Sequence, residues 1–390
     1  MQDGGTVPEY EPGAELPWPP EKTQQLRLSL YLGTLRPGRD QDTGIILIDA
    51  LDRAGLSPTC VLVRDDDQIV PALEKRNIAI HPLPRELCRP RSQIQRSLRT
   101  PEFQAQFDGW LSKYLEYEPE LGIVFYGWWL PPQLFTAPRY GSINFHPAPL
   151  PMMRGFEPET AAVLRGMDRM HGTFHFIKED FDTGEILWET RPITLGGRET
   201  PAEVLELVTL QGINEVPSLF AGAHAGTVKP RPQDNCLADT TDLESVREES
   251  VIDWAADDHA TIDRRARAFN GQQWKHRLRA LVEGRLCCIG RIDLMEGAFP
   301  GWPGRRIGTY PTASGADRVY AGQPIIRTTE GAAVVVIEHR CDDELRSCLL
   351  QGRCAQAGKY IAPSDVADVR VVEHRVRAGL EQRYIQQQRS

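Results

Sequence analysis

Three side chains carry the strongest chemical suggestion in this sequence: Asn144, His146 and Asp182. Asn144 and His146 stand two apart in the run SINFH, and side chains alternate along a strand, so both face one side while Ile143 and Phe145 face the other. Asp182 lies in EDFDTG, a turn-forming run that could deliver a carboxylate to a cleft from an irregular loop. A carboxamide, an imidazole and a carboxylate are what acyl transfer to an amine requires. The amide hydrogen-bonds the developing oxyanion and the imidazole assists its formation and the proton transfers. The carboxylate orients the imidazole and receives a proton from the amine. No serine or cysteine nucleophile is needed. Singly, Asn-x-His on a strand is more often a hydrogen-bonded strand end, and an Asp in a DTG turn is usually a capping residue; the combination carries the weight.

The surrounding elements must position these groups. LRLSLYLG from Leu26 reads as a strand, Thr43 to Ala54 as an amphipathic helix, and CVLVRD from Cys60 as a second strand. GIVFYG from Gly122 is nearly all apolar, as suits a central strand covered on both faces, and SINFH follows at loop distance. Strands alternating with helices imply an α/β unit with a doubly wound, mostly parallel sheet, whose ligands bind beyond the carboxyl ends of the strands. Pro147, Pro149 and Pro151 stiffen the loop after His146. TFHFIK reads as a half-buried strand with Thr173, His175 and Ile177 on one side. The loop after the first strand has glycines at 33, 38 and 44, matching neither GxGxxG nor the P-loop, so it reads as a connection rather than a phosphate cradle.

The segment from Gly141 to Glu189 resembles the 10-formyltetrahydrofolate-dependent formyltransferases. The likeness rests on Asn144-Phe145-His146, the proline-containing loop from Pro147 to Gly155, the strand from His171 to Lys178, and Asp182-Thr183-Gly184. It covers about residues 26 to 375, strongly from Gly122 to Glu189 and weakly at both ends. The resemblance implies a Rossmann-like catalytic domain, 10-formyltetrahydrofolate as formyl donor, and Asn144, His146 and Asp182 as catalytic trio. It implies a folate pocket between the loop after the central strand (Trp128, Trp129, Leu130) and the Asp loop (Ile177, Lys178, Glu179, Asp180, Phe181), where aromatic rings would stack on a pterin. Core packing is the alternative reading of those rings. His175 matches a recurrent family histidine and is read as supporting. VIDW (Val251 to Trp254) followed by RRARAFN resembles, more loosely, the opening of the OB-like C-terminal domain of methionyl-tRNA and several sugar N-formyltransferases. The family's His-x-Ser-Leu-Leu-Pro is here His146-Pro147-Ala148-Pro149-Leu150-Pro151, which lacks the hydroxyl and is associated with members that modify small molecules.

Composition bounds the rest. At 390 residues with 41% hydrophobic and 25% charged, the chain can bury a core and has room for two domains. The expected layout is an extended arm at 1–24, a catalytic domain at 25–229, a polar linker at 230–250, a smaller, mostly β OB-like domain at 251–376 and a tail at 377–390. No apolar run reaches the roughly 18 residues of a membrane span and the first residues are acidic and proline-rich, so no membrane and a cytoplasmic location are expected. Eight cysteines without a CxxC pair read as reduced thiols and no metal site. The net charge of −9 disfavours a nucleic-acid partner, although residues 251–390 carry about +4 against about −13 elsewhere.

The expected activity is therefore transfer of the formyl group of 10-formyltetrahydrofolate to a primary amine of a small molecule: an amino-sugar nucleotide, an amino acid or a natural-product intermediate. Methionyl-tRNA formylation is the first alternative, favoured by the two-domain layout and by the basic stretch Arg264, Arg265, Arg267, Lys275, Arg277 and Arg279, which otherwise reads as solvated arginines on a helix. Formyltetrahydrofolate hydrolysis, with water as acceptor, is the second. A catalytically dead binding protein is the third, and the intact trio argues against it. By analogy with the family, a homodimer through the C-terminal domain is also to be considered.

Overall fold

The computed structural model describes residues 26–32, 40–125, 129–241, 246, 249–269, 277–283, 285–309 and 323–340. The expected arm and tail, Gly33, Gly38, Trp128 and Lys275 lie outside the described residues. The chain divides into two compact units: Met1–Pro158 with Arg169–Thr194 and Leu205–Thr240, and Glu159–Asp168 with Leu195–Val204 and Thr241–Ser390.

In the first unit the chain runs through β1 (Leu28–Tyr31), α1 (Asp40–Arg53), β2 (Pro58–Val63), α2 (Val70–Lys75), β3 (Ala79–Pro82), α3 (Arg91–Leu98), α4 (Pro101–Leu115), β4 (Leu121–Val124), α5 (Pro132–Phe135) and β5 (Ser142–His146). It continues through β6 (Arg154–Gly155), β7 (Arg169–Met170), β8 (Thr173–Phe176), β9 (Ile186–Glu189), β10 (Ile193–Thr194) and α7 (Pro201–His224) from Leu205 on; α6 (Pro158–Leu164) from Glu159 and the first residues of α7 up to Val204 are assigned to the second unit. Phe103, Phe107, Leu111 and Tyr114 repeat at helical spacing along α4 and are its buried face. β1 and β4 are buried along their whole length, as strands in the middle of a sheet covered on both faces must be.

The sheet order is β3-β2-β1-β4-β5-β8-β9. Pairing is parallel from β3 through β5 and antiparallel at β5–β8 and β8–β9. The chain winds outward through β2 and β3, then returns to the other side of β1, so the winding reverses between β1 and β4; ligand crevices form beyond the carboxyl ends of strands near such a reversal. Gly122 is opposite Ser142 in the β4–β5 register, and a Cβ on Gly122 would stand 2.3 Å from the Ser142 Oγ; only glycine allows that approach. Phe145 stacks on Phe125 at 5.0 Å and packs against Phe174 at 4.9 Å, while its ring occupies the space a side chain at Gly172 or Gly212 would need.

Two expectations are corrected here. The TFHF strand is buried at every residue rather than on one face, because β8 is an interior strand between β5 and β9. The stretch expected to be a linker from residue 230 belongs, as far as Thr240, to the first unit. Arg231 exchanges backbone hydrogen bonds with Ile186 of β9, and the Asp239 N–H and carbonyl bond to the Pro151 carbonyl and the Arg154 N–H.

The second unit holds a six-stranded sheet in the order Val251–Ile252, Arg279–Val282, Arg285–Glu296, Gly331–Arg340, Pro324–Arg327, Arg306–Thr309. Its longest pair, Arg285–Glu296 with Gly331–Arg340, is antiparallel. The helix His259–Phe269 buries Ile262, Ala268 and Phe269. No helix among the described residues is long and apolar enough to cross a membrane.

Candidate active site

Asn144 and His146 end β5 at its carboxyl edge, and the antiparallel register places His175 of β8 directly opposite Asn144. Asp182 reaches the same place from the loop between β8 and β9. Its backbone is left-handed, with φ 54°, a conformation that few residue types other than Gly, Asn and Asp adopt readily. Two residues on, a Cβ at Gly184 would lie 1.8 Å from the Phe176 carbonyl oxygen, so the loop can fold back against β8 only with glycine there. The Asp-Thr-Gly pattern is thus a backbone requirement as well as a chemical one.

Asp182 sits between two imidazoles. Its Oδ2 is 3.5 Å from His146 Nδ1 and its Oδ1 is 3.3 Å from His175 Nε2, with side-chain exposures of 10% for Asp182, 5% for His146 and 2% for His175. The Gly155 N–H donates to Oδ2 at 2.8 Å. The far nitrogen of each imidazole faces a carbonyl: His146 Nε2 is 2.8 Å from Met153 O, and His175 Nδ1 is 2.8 Å from Phe176 O. Carbonyl oxygens only accept, so both far nitrogens must carry hydrogen. A neutral imidazole has a single N–H, so in that state the nitrogen turned to Asp182 is a bare lone pair. A neutral His146 therefore presents Nδ1 to the carboxylate as a vacant proton position, whereas His175 Nε2 is already faced by the Asn144 amide nitrogen, which only donates.

Burial pushes the His146 imidazole below its ordinary value against the opposing pull of Asp182, so His146 is neutral near pH 7. Burial alone would raise Asp182. The facing histidines and the Gly155 N–H outweigh it and hold the carboxyl well below the usual range. Asn144 Nδ2 lies 3.2 Å from His175 Nε2, and the half-buried Asn144 side chain also borders a cavity of about 200 Å³.

That cavity is lined by Asn144, His146, His175 and Asp182 together with Trp129, Leu130, Ile177, Lys178, Asp180 and Phe181. Of the residues expected to form a folate pocket, Glu179 is absent from the lining and Trp128 lies outside the described residues. The Glu179 carbonyl instead accepts from the Trp129 indole N–H at 3.0 Å, tying the loop after β4 to the Asp loop. Phe156 meets Phe181 edge-on at 5.3 Å. The Arg91 guanidinium lies 5.2 Å above Trp129 and 6.0 Å from Phe181, with Glu179 and Asp180 beside it. The proline loop is fixed from β8, where the Thr173 hydroxyl donates to Ala148 O and accepts from the Leu150 N–H.

Sequence reasoning missed Arg91, Phe156 and Gln233. Gln233 stands in a polar, proline-containing stretch whose neighbours give no local signal of a contact with the Asp loop. Arg91 comes from a helix 91 residues before Asp182 in the chain, a separation that no periodicity reports.

Residues 47–219 match the family model described as formyl transferase. Methionyl-tRNA formyltransferases from Treponema pallidum and Pseudomonas fluorescens are 32% and 33% identical to this chain, over 39% and 48% of it and 47% and 57% of their own lengths. That of Corynebacterium aurimucosum is 27% identical over 69% of this chain and 76% of its own. In the first of these the chain spans about half the length of the relative it matches. Among solved structures, HypX from Aquifex aeolicus in complex with tetrahydrofolic acid shares 18% identity at a TM-score of 0.49, covering 80% of this chain and 43% of that one. An N-formyltransferase from Helicobacter canadensis in complex with folinic acid and dTDP-3-aminofucose shares 11% at 0.49, covering 81% and 100%.

Proposed function

With residues 47–219 identified as a segment of the formyl transferase family, we propose that this protein moves the formyl group of 10-formyltetrahydrofolate onto a primary amine of a small molecule. The observation that carries the reading is the Asp182 carboxylate held between His146 and His175 beside Asn144, at the wall of a cavity with aromatic sides.

Trp129, Phe156 and Phe181 offer ring faces and edges, and Leu130 and Ile177 apolar walls, which suits a flat heteroaromatic ring such as a pterin. The donor supplies a formyl carbon already activated on nitrogen. Asn144 has two amide hydrogens, and one is available to the oxygen of that formyl group as negative charge develops there. His146, neutral and with Nδ1 bare, takes up a proton at Nδ1. Asp182 stabilises the resulting imidazolium across 3.5 Å. The amine nitrogen adds to the formyl carbon and gives up one proton, which His146 Nδ1 receives; as the adduct collapses, the bond between that carbon and the tetrahydrofolate nitrogen breaks and the proton passes to the departing nitrogen.

A small-molecule acceptor is favoured over a tRNA by four arginines of the basic stretch, Arg264, Arg265, Arg267 and Arg279, which are committed within the second unit. Arg265 donates to the Glu249 and Val251 carbonyls and pairs with Glu249 and Asp257. Arg267 pairs with Asp263 and donates to the Glu199 carbonyl, and Arg264 and Arg279 bond Thr261 and Ser250. An amino-sugar nucleotide is the leading acceptor, with an amino acid or natural-product intermediate next. Methionyl-tRNA is the alternative, supported by the activity named for the relatives. The same reading takes the β-rich second unit as an OB-like domain and the cytoplasm as the site of action.

The test is incubation of the pure protein with 10-formyltetrahydrofolate and a panel of amines: dTDP- and UDP-amino sugars, amino acids and charged methionyl-tRNA, followed by absorbance of released tetrahydrofolate. Release with one small amine is expected. Release only with the tRNA would establish the alternative, and release without any acceptor would make the protein a hydrolase.

A further inference from the structure

Gln233 bridges two parts of the active site that are far apart in sequence. Its Nε2 donates to both the Asp182 and the Gly184 carbonyls at 2.7 Å, and its Oε1 accepts from Arg154 Nε and Nη2 at 2.9 and 2.7 Å. The amide orientation is not ambiguous: carbonyls only accept and guanidinium nitrogens only donate, so nitrogen must face the loop and oxygen the arginine. Arg154 also donates to Asn235 Oδ1, and it immediately precedes Gly155, whose N–H holds Asp182 Oδ2. The strap from Arg231 to Asp239 is hydrogen-bonded at one end to Ile186 and at the other to Pro151 and Arg154.

Asp182 thus has its carboxylate gripped through Gly155 and its main chain gripped through Gln233, both from the Arg154 side. A left-handed aspartate persists only where the surroundings over-determine it, and without Gln233 the carbonyls on either side of Thr183 lose these two donors. We propose that Gln233 is a positioning residue that, with Arg154, sets the direction of the Asp182 carboxylate between His146 and His175. The inference deepens the proposed formyl transfer and rests on it for its catalytic consequence.

The test compares wild type with Gln233→Leu and Gln233→Glu, using melting temperature to establish folding and two further readouts. Glutamate keeps the partner of Arg154 but removes the donors to both carbonyls, and its ion pair with Arg154 offers a second folded variant if leucine unfolds the strap. The first readout is the pH titration of the His146 ring followed by NMR of labelled histidine. His146 is faced by Asp182, His175 and the Met153 carbonyl; a displaced Asp182 removes an influence that raises its ionisation, so the midpoint falls in both variants. The second is kcat against KM for 10-formyltetrahydrofolate. A displacement of the carboxylate by about 1 Å lowers kcat on the order of 10²-fold while KM for the donor stays within about threefold. Arg154→Met, which leaves the glutamine amide in place, gives a smaller kcat loss than either Gln233 variant.

An unmoved His146 midpoint in a folded variant, or undiminished kcat in an active enzyme, overturns the inference. A wild type that transfers no formyl group to any acceptor, together with a lowered midpoint in the variants, would leave the positioning intact and defeat only the assigned reaction.

Discussion

At the scale of single residues, the site is an exercise in which atoms hold hydrogen. Met153 and Phe176 carbonyls fix hydrogen on the far nitrogens of His146 and His175, and that leaves His146 Nδ1 to receive a proton beside Asp182 while Asn144 faces His175 Nε2. If Asn144 donates to the developing oxyanion, Asn144→Ala lowers kcat by roughly 10²- to 10³-fold with an unchanged melting temperature, as a tetrahydrofolate-release assay will read. Asp182 makes a second prediction through stability. Its carboxyl ionises below the ordinary Asp value of 3.8, so the anion stabilises the fold at every pH above that value and the stabilisation is lost as pH falls through the depressed one. Urea unfolding of wild type and Asp182→Asn at stepped pH is expected to give a difference that does not shrink from pH 7 to 5, because protonation of His146 beside the anion only adds to it, and that falls only below pH 4. A difference that already shrinks near pH 6 would mean the carboxyl is not held low.

At the scale of elements, β8 matters most. Running antiparallel beside β5, it places His175 against Asn144, supplies the Thr173 hydroxyl to the proline loop and then gives way to the Asp loop. Gly184 is where the loop touches the strand. Gly184→Ala forces a methyl group into the Phe176 carbonyl, and overpacking of this kind costs about 1–3 kcal/mol. Because the displaced segment carries Asp182, urea unfolding will show that loss together with a drop in kcat. Phe145→Ala, by contrast, empties the space bounded by Phe125, Phe174, Gly172 and Gly212 and is expected to cost about 3–5 kcal/mol. It acts on stability first, since the Phe145 ring is packed against Phe125 and Phe174.

At the scale of the molecule, charge argues about the acceptor. The net −9 and the internal commitments of Arg264, Arg265, Arg267 and Arg279 leave these side chains poorly placed to neutralise phosphates. Methionyl-tRNA is accordingly expected not to shift in a gel at 50 mM salt, and turnover with a small amine is expected to vary little between 50 and 200 mM. A steep fall over that range, with a tRNA complex at the lower salt, would favour the tRNA reading, because each phosphate contact adds to the salt dependence.

The sequence by itself determined the chemical alphabet and much of the local structure. Alternation set Asn144 and His146 on one face, apolar runs marked β1, β2, β4 and β5, and Asp-Thr-Gly marked a tight loop whose glycine proved sterically obligatory. These are short-range effects: period, turn chemistry and steric volume act over a few residues. It did not reveal that β8 is buried on both faces, that the proline-rich segment up to Thr240 packs into the first unit, or that Gln233 and Arg154 hold Asp182. Those depend on strand order and register, which join residues 31 to 79 positions apart and leave no local trace. The tertiary fold alone decided that Asp182 lies between two imidazoles. The hydrogen-bond partners of each ring were fixed only when β5, β8 and the intervening loops came together.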